Sequence, residues 1–145
     1  MQRSGPDAQA IAQRSAEAMY AADDASQRLG IAITDVAPGR ATARMRIGAD
    51  MVNGHGIAHG GYVFLLADTA FAFACNTYGD RVVARGASIV FIAAVHEMDE
   101  LVATGIERVR YGRNGVYDVT VCRADTGDVV AEFRGESHVL RGLEE

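Results

Sequence analysis

The chain has 145 residues, room for one domain with its own core, and at 49% hydrophobic residues it is excluded from the disordered class. Its formal net charge of -5 argues against nucleic acid as the main partner, though not against a small anionic ligand held by a local cluster. The longest apolar run, Tyr62 to Cys75, is too short to span a bilayer, and no signal-peptide core precedes it, so no membrane association and a cytoplasmic location are expected.

Residues 1–6 read as a loose terminus. Residues 7–29 predict a helix with a weak apolar stripe of Ile11, Ser15, Ala18, Met19 and Ala22, ended by Gly30. Ile31 to Val36 predicts a short strand, followed by a Pro38-Gly39 turn. From Arg40 to Ile47 the alternation is clean. Ala41, Ala43, Met45 and Ile47 share one face, and Arg40, Thr42, Arg44 and Arg46 share the other, the pattern of a half-buried strand.

Met51 to Gly79 begins as a loop holding Gly54, Gly56, Gly60 and Gly61. It becomes a helix in which Phe64, Ala67, Phe71, Ala74, Cys75 and Tyr78 recur at steps of three and four, with Gly79 as a stop. This helix is apolar nearly all round, which predicts burial. Strands follow. Arg81 to Val95 is expected to be buried on both faces across residues 88–95. His96 to Glu100 is a polar break, and Leu101 to Tyr111 is a long strand. Residues 112–115 signal a hairpin, Tyr117 to Cys122 alternates, Thr126-Gly127 turns, and a last strand runs from Val129 to Val139. Hairpin turns imply antiparallel pairing. The layout predicted is α+β, one sheet curled around one buried helix in a single domain. Cys75 and Cys122 have no paired spacing, lie in apolar or strand-like stretches, and are expected to be reduced and buried.

With a helix start near His59, the Gly60 and Gly61 N–H groups lack intrahelical partners, and the absent side chains let a ligand approach. The helix dipole adds positive character, which suits an anion or a developing oxyanion. A tight turn that needs glycine for its backbone angles fits the same residues. Asp68 interrupts the apolar helix, and a buried carboxylate is costly unless something uses it or it caps a neighbouring loop. It follows Gly60 by eight residues, roughly 12 Å along a helix at about 1.5 Å per residue. One helix therefore cannot bring both groups to one carbonyl. Two antiparallel helices of a two-fold dimer can, so an active site here is predicted at a subunit interface.

Asn53 either orients water or a carbonyl, or holds the loop turn. His59 either orients the loop or is a satisfied, partly buried histidine. His55 and His59 are separated by glycine, with no Glu after His55, which argues against a metal site. His138 follows Ser137 without a nucleophile elbow. Arg108, Arg110 and Arg113 form a basic cluster that either docks phosphate or lies on a solvated strand face.

Asn53, His59-Gly60-Gly61, Leu66-Ala67-Asp68-Thr69-Ala70-Phe71, Ala74 and Asn76 resemble the signature of hotdog-fold acyl-CoA thioesterases of the phenylacetate-degradation (PaaI) type. Residues 115–121 and 133–138 resemble that family's closing strands, and the resemblance runs from about Met19 to Val139. It implies a hotdog fold, an antiparallel sheet wrapped around a long central helix. It also implies an acyl-CoA substrate, no cofactor, and a homotetramer built from dimers. By position it makes Asp68 the catalytic carboxylate and Gly60 the oxyanion donor. His59 and Gly61 shape the loop, and Asn53 places the carbonyl or the water. Phe64, Phe71 and Phe91 are candidate walls of the acyl pocket, with phenylacetyl or hydroxyphenylacetyl the acyl group expected. One departure is that the family's frequent Arg-Pro pair after the first long strand is Ala93-Ala94 here. Two alternatives remain: a hotdog enoyl-CoA hydratase, for which no convincing Asp–His spacing is present, and a non-catalytic acyl-CoA binding module, which would not need Asp68.

Overall fold

The computed structural model describes residues 5–141. Helix α1 spans Gly5–Ala21 and α2 spans Asp24–Arg28. They replace the single helix expected over 7–29. The chain breaks because Asp23 caps a new helix, its Oδ1 accepting from Ser26 N at 3.0 Å and its Oδ2 from Ser26 Oγ at 2.6 Å. The loose terminus expected at 1–6 lies outside the described residues for 1–4, while Gly5 and Pro6 open α1. The buried side of α1 is Ala8 and Ala12, with Met19 packed against the core, so the stripe is rotated from the one expected and Ala18 is exposed.

Six strands form one antiparallel sheet: β1 (Ala32–Ala37), β2 (Arg40–Arg46), β3 (Val82–Phe91), β4 (Glu100–Tyr111), β5 (Asn114–Arg123) and β6 (Val129–Val139). Their order is β1-β2-β4-β5-β6-β3. The alternation read in β2 holds, with Ala41, Ala43 and Met45 buried and Arg40 and Arg46 exposed. The 112–115 hairpin is also present, with Gly112 at φ 59 in the left-handed region that glycine enters without strain.

The long helix, α3 (Gly60–Cys75), lies on one face of this sheet, as the α+β layout predicted. Two strand glycines let it seat. A Cβ on Gly105 of β4 would fall 3.0 Å from Ala70 O, and one on Gly135 of β6 would fall 2.7 Å from the Phe71 ring. Phe71, Phe73, Tyr117 and Phe133 fill the space between, each at most 2% exposed. The helix stops short of Gly79 because Asn76 takes its end: Asn76 Nδ2 donates to Ala72 O at 2.9 Å and to Val82 O at 3.0 Å, and Asn76 Oδ1 accepts from Val82 N.

Two expectations of burial fail together. Val90, Phe91 and Ile92 are 64%, 54% and 54% exposed, because β3 is a sheet edge paired with β6 alone. The strand also ends at Phe91 instead of Val95: Ile92 N and Ala93 N both turn to Val130 O. Helix α3 is not wrapped all round either. Gly61 is exposed, and Leu65, Asp68 and Ala72 are only partly buried. Their spacing of four, three and four places them on one open stripe. Cys75 and Cys122 are both free, but only Cys75 is buried as expected; Cys122 is partly exposed because it falls on the face of β5 opposite the buried Val119 and Val121.

Candidate functional site

The loop before α3 is held by the side chain of Asn53. Its Oδ1 accepts from His55 N at 2.9 Å and Ile57 N at 3.2 Å, and its backbone N donates to Ile57 O at 2.8 Å. With its oxygen occupied, Asn53 has only the Nδ2 donors left for a ligand. The loop is anchored on both sides, by His59 N to Met51 O at 2.8 Å and by Ala58 N to Val95 O at 2.7 Å.

His59 is the N-cap of α3, its Nδ1 accepting from Gly61 N at 2.9 Å. An accepting Nδ1 places the ring proton of the neutral histidine on Nε2. The cap also explains Gly61, since a Cβ there would lie 3.0 Å from His59 Nδ1. Tyr62 N donates to His59 O at 3.0 Å. Gly61 and Tyr62 are thereby satisfied, and the Gly60 N–H is the one in this first turn that donates to no described residue. It is an open donor at the positive end of a helix.

The Gly60 donor faces apolar surroundings. A cavity of about 380 Å³ is bounded by Ile57, Gly60, Val63, Phe91, Val95 and Val130, among other small apolar residues. The Phe91 ring covers Gly60 so closely that a Cβ there would meet its Cζ at 3.0 Å. Ala93 and Ala94 line the same cavity without charge.

Asp68 forms no hydrogen bond and no ion pair with any described residue, so it does not cap a loop of its own chain. Partial burial pushes its carboxyl above the ordinary aspartate range. Seven residues further along, about two turns, burial pushes the Cys75 thiol up to about 12, against the lowering effect of a backbone hydrogen bond, and the Asp68 charge adds to the rise. That thiol is protonated at neutral pH and is not a nucleophile.

The remaining sequence candidates divide. Phe64 is partly buried and meets the Phe133 ring edge-on at 5.3 Å. Phe71 is a core residue, 1% exposed against Tyr117 and Phe133, and is not part of the wall of the cavity beside Gly60. The three arginines are not gathered at the Gly60 donor. Arg108 pairs with Asp118 at 3.5 Å on the outer sheet face. Arg110 pairs with Glu107 at 3.3 Å and stacks 3.7 Å over the Tyr78 ring, beyond the opposite end of α3. Arg113 lies in the β4–β5 turn, its carbonyl accepting from Val139 N at 2.8 Å. Ser137 and His138 point to opposite faces of β6, which excludes them as a nucleophile–base pair; His138 Nδ1 lies 3.1 Å from Asn114 Oδ1.

Sequence reasoning passed over Arg123. Its guanidinium bonds Ala94 O and lies 3.4 Å from Asp99 Oδ2, which in turn accepts from His96 N at 2.9 Å. One side chain from β5 thus braces the 94–99 segment that backs the cavity. Nothing near Arg123 in the sequence signals this, because the contact spans 29 residues. Among the described residues no group of three or more His, Cys, Asp or Glu assembles to hold a metal, and no helix is long and apolar enough to cross a membrane.

Comparison with known proteins places this geometry. Residues 55–130 match the model of the thioesterase superfamily. The chain is 41% identical over 129 residues to the acyl-coenzyme A thioesterase PaaI of Escherichia coli, an alignment covering 89% of this chain and 91% of that protein. The solved structure of the E. coli PaaI protein from the phenylacetic acid degradation operon is similar at a TM-score of 0.89, with 40% identity over 92% of this chain and 96% of that one. A mutant of the phenylacetic acid degradation protein PaaI from Thermus thermophilus is similar at a TM-score of 0.77, with 33% identity over 81% of this chain and 100% of that one.

Proposed function

Because the chain belongs to the thioesterase superfamily, with the hotdog fold and the acyl-CoA thioester hydrolase activity of the PaaI type, we propose that its substrate is an aryl-acetyl-CoA and that each reacting centre is shared by two subunits. The acid released is phenylacetate or a ring-hydroxylated phenylacetate, and CoA leaves as the thiol. The thioester oxygen lies on the Gly60 N–H, with Asn53 Nδ2 as a second donor. The acyl group packs against Phe91 and the apolar cavity beside it, with Phe64 nearby on the same helix. Asp68 of the partner subunit supplies the carboxylate.

The observation that carries this reading is Asp68 itself: a partly buried carboxylate without a partner among the described residues, on the open stripe of α3. Within its own chain it stands roughly 12 Å along the helix from the Gly60 donor, at about 1.5 Å per residue. A second chain is needed to bring a carboxylate to that donor. The unpaired edge of β3, with Val90, Phe91 and Ile92 exposed, is the surface that supports such pairing. A homotetramer of such dimers is the assembly proposed.

Two routes satisfy the chemistry. The carboxylate oxygen attacks the carbonyl carbon and the C–S bond breaks to release the CoA thiolate; water then cleaves the anhydride to the free acid and the restored carboxylate, and the proton this hydrolysis releases balances the thiolate, which leaves as the thiol. Alternatively the carboxylate takes a proton from water, the hydroxide adds, and the tetrahedral oxyanion collapses with the proton delivered to sulfur. Either way charge develops on the oxygen at Gly60, where an oriented N–H at a helix N-terminus stabilises it.

Thiol release from phenylacetyl-, hydroxyphenylacetyl-, benzoyl-, butyryl- and octanoyl-CoA, with wild type beside Asp68→Asn, tests the substrate class. Highest kcat/KM on the aryl-acetyl substrates, lost in Asp68→Asn, is expected; a straight-chain preference overturns the acyl assignment. Mixing Asp68→Asn with Gly60→Ala chains under exchange conditions tests the shared centre. In a random mixture half of the dimers pair unlike chains, and each of those has one intact centre, so recovery of about a quarter of wild-type activity is expected. No recovery from chains shown to mix overturns it.

A further inference from the structure

We propose that a second cavity, closed between α1 and the C-terminal end of α3, is a binding site for a small monocarboxylic acid. The inference stands independently of the substrate proposed above.

The cavity measures about 380 Å³, within the range of about 300–1,000 Å³ typical of small-molecule sites. Ala8 and Ile11 of α1 roof it. Cys75 and Thr77 bound it at the end of α3, and Arg110, Tyr117 and Ser137 bound it from β4, β5 and β6. Cys75 stands fifteen residues beyond Gly60, roughly 22 Å at about 1.5 Å per residue. A ligand here does not compete for the Gly60 donor of the same chain.

The class of ligand follows from which polar groups of the wall are already satisfied. Thr77 Oγ1 donates to Ala74 O at 2.9 Å and accepts from Gly39 N at 2.7 Å. The hydroxyls of Tyr78 and Tyr117 both donate to Glu107 Oε1, at 2.7 and 3.2 Å. The Cys75 thiol donates to Ala72 O at 3.4 Å. Two groups remain. Ser137 is 3% exposed, and its hydroxyl bonds to no described residue. Room for that hydroxyl is made by Gly115, where a Cβ would lie 2.8 Å from Ser137 Oγ. That oxygen is open to the cavity rather than sealed, since no fully buried side-chain N or O among the described residues lacks a partner, so it is available to a ligand that enters. The second group is Arg110. Its Nε faces Glu107 at 3.3 Å and its plane stacks 3.7 Å over Tyr78, while neither Nη bonds a described residue. A guanidinium held rigid with two free donors matches a carboxylate.

Charge separates a carboxylate from a phosphate. Arg110 is the one cation of the wall and is already paired with Glu107, and Asp80 stands at the rim. A dianion would face two carboxylates with a single guanidinium, whereas a monoanion is balanced by the Arg110 fork. Ile11, Val82 and Val139 form an apolar side of the wall for a hydrocarbon body. Ser137 and Arg110 therefore bind the carboxyl, and the rest of the acid lies under α1.

Saturation-transfer NMR and calorimetric titration with acetate, butyrate, benzoate, phenylacetate and inorganic phosphate, on the full chain, test this. Expected is binding of at least one carboxylate, equal in wild type and Asp68→Asn, weakened at least tenfold in both Ser137→Ala and Arg110→Gln, with no binding of phosphate. Ile11→Phe, which narrows the cavity from the α1 side, should abolish binding of the larger acids while far-UV circular dichroism remains unchanged. Binding that survives in Ser137→Ala and Arg110→Gln but is lost in Asp68→Asn overturns the proposal, as does no carboxylate binding at millimolar concentration or phosphate binding as tightly as the acids.

Discussion

The Phe91 ring lies against Gly60 so tightly that a Cβ on Gly60 would sit 3.0 Å from Phe91 Cζ. The residue presenting the open N–H and the aromatic wall beside it are thus fitted to each other. Gly60→Ala must push the ring aside and also put a methyl group in front of the donor. A drop of about a hundredfold to a thousandfold in kcat/KM is expected, the range for loss of one oxyanion donor. Phe91→Leu in the Gly60→Ala background separates the two effects. Partial recovery assigns the recovered part to the clash, and the remainder to the obstructed donor.

Under the proposed mechanism Asp68 governs the pH profile. Either route needs it ionised, and burial has moved its carboxyl upward. The acid limb of kcat/KM should therefore fall at a pH above the ordinary aspartate range, and Asp68→Asn should lose about 10²–10⁴ in rate. An acid limb unchanged in the residual activity of Asp68→Asn would assign it to another group.

The same burial has a cost for stability. The folded chain holds the Asp68 proton more tightly than the unfolded chain does, so stability falls as pH rises from the ordinary aspartate value of 3.8 through the raised folded value, and stays lower above it. Asp68→Asn should then melt at a higher temperature than wild type at pH 7, with the gap closing as pH drops below 3.8. Melting curves from pH 3.5 to 8 read this directly. A variant less stable than wild type at pH 7 contradicts the account.

His59 acts through the helix start. His59→Ala removes the acceptor of the Gly61 N–H, and loss of an N-cap costs about 1 kcal/mol. A melting temperature lower by roughly 2–4 °C is expected for a chain of this size. His59→Asn, which keeps a capping oxygen, should restore most of it. If both variants lose activity equally while only one loses stability, His59 has a role in the reaction besides capping.

Gly135→Ala tests the seating of α3. The added methyl group would stand 2.7 Å from the Phe71 ring, and such overpacking costs about 1–3 kcal/mol. Denaturant unfolding should show a lowered midpoint with an unchanged slope.

What could be read from the sequence was what the local pattern controls. The alternation of β2, the two-residue hairpin after Tyr111 and the helical period of α3 depend on neighbours a few residues away, and all appear as expected. Failures came where a distant or missing neighbour decides. The apolar run at residues 88–95 reads like a buried strand, but its exposure depends on β3 falling at the sheet edge, and edge position is a property of the whole topology. Phe71 and Phe91 look alike in sequence, yet one is sealed beneath the sheet and the other stands over Gly60. The Asp23 cap was readable, since Asp-Asp-Ala-Ser is a helix-start pattern, but the alanine-rich run before it masked the break. Arg123 could not have been found, because its partners lie on a segment that only the fold brings near.

If the proposed centre is shared, placing the open donor and the carboxylate on different turns of one rod makes the amount of protein a control on the reaction. Under the shared-centre reading an isolated chain is two half-tools, and turnover requires an encounter. Well below the dimer dissociation constant, the rate should grow with the square of chain concentration and become linear only once pairing saturates. Freshly made or highly diluted chains would then be silent toward thioesters, and the enzyme would switch on as it accumulates.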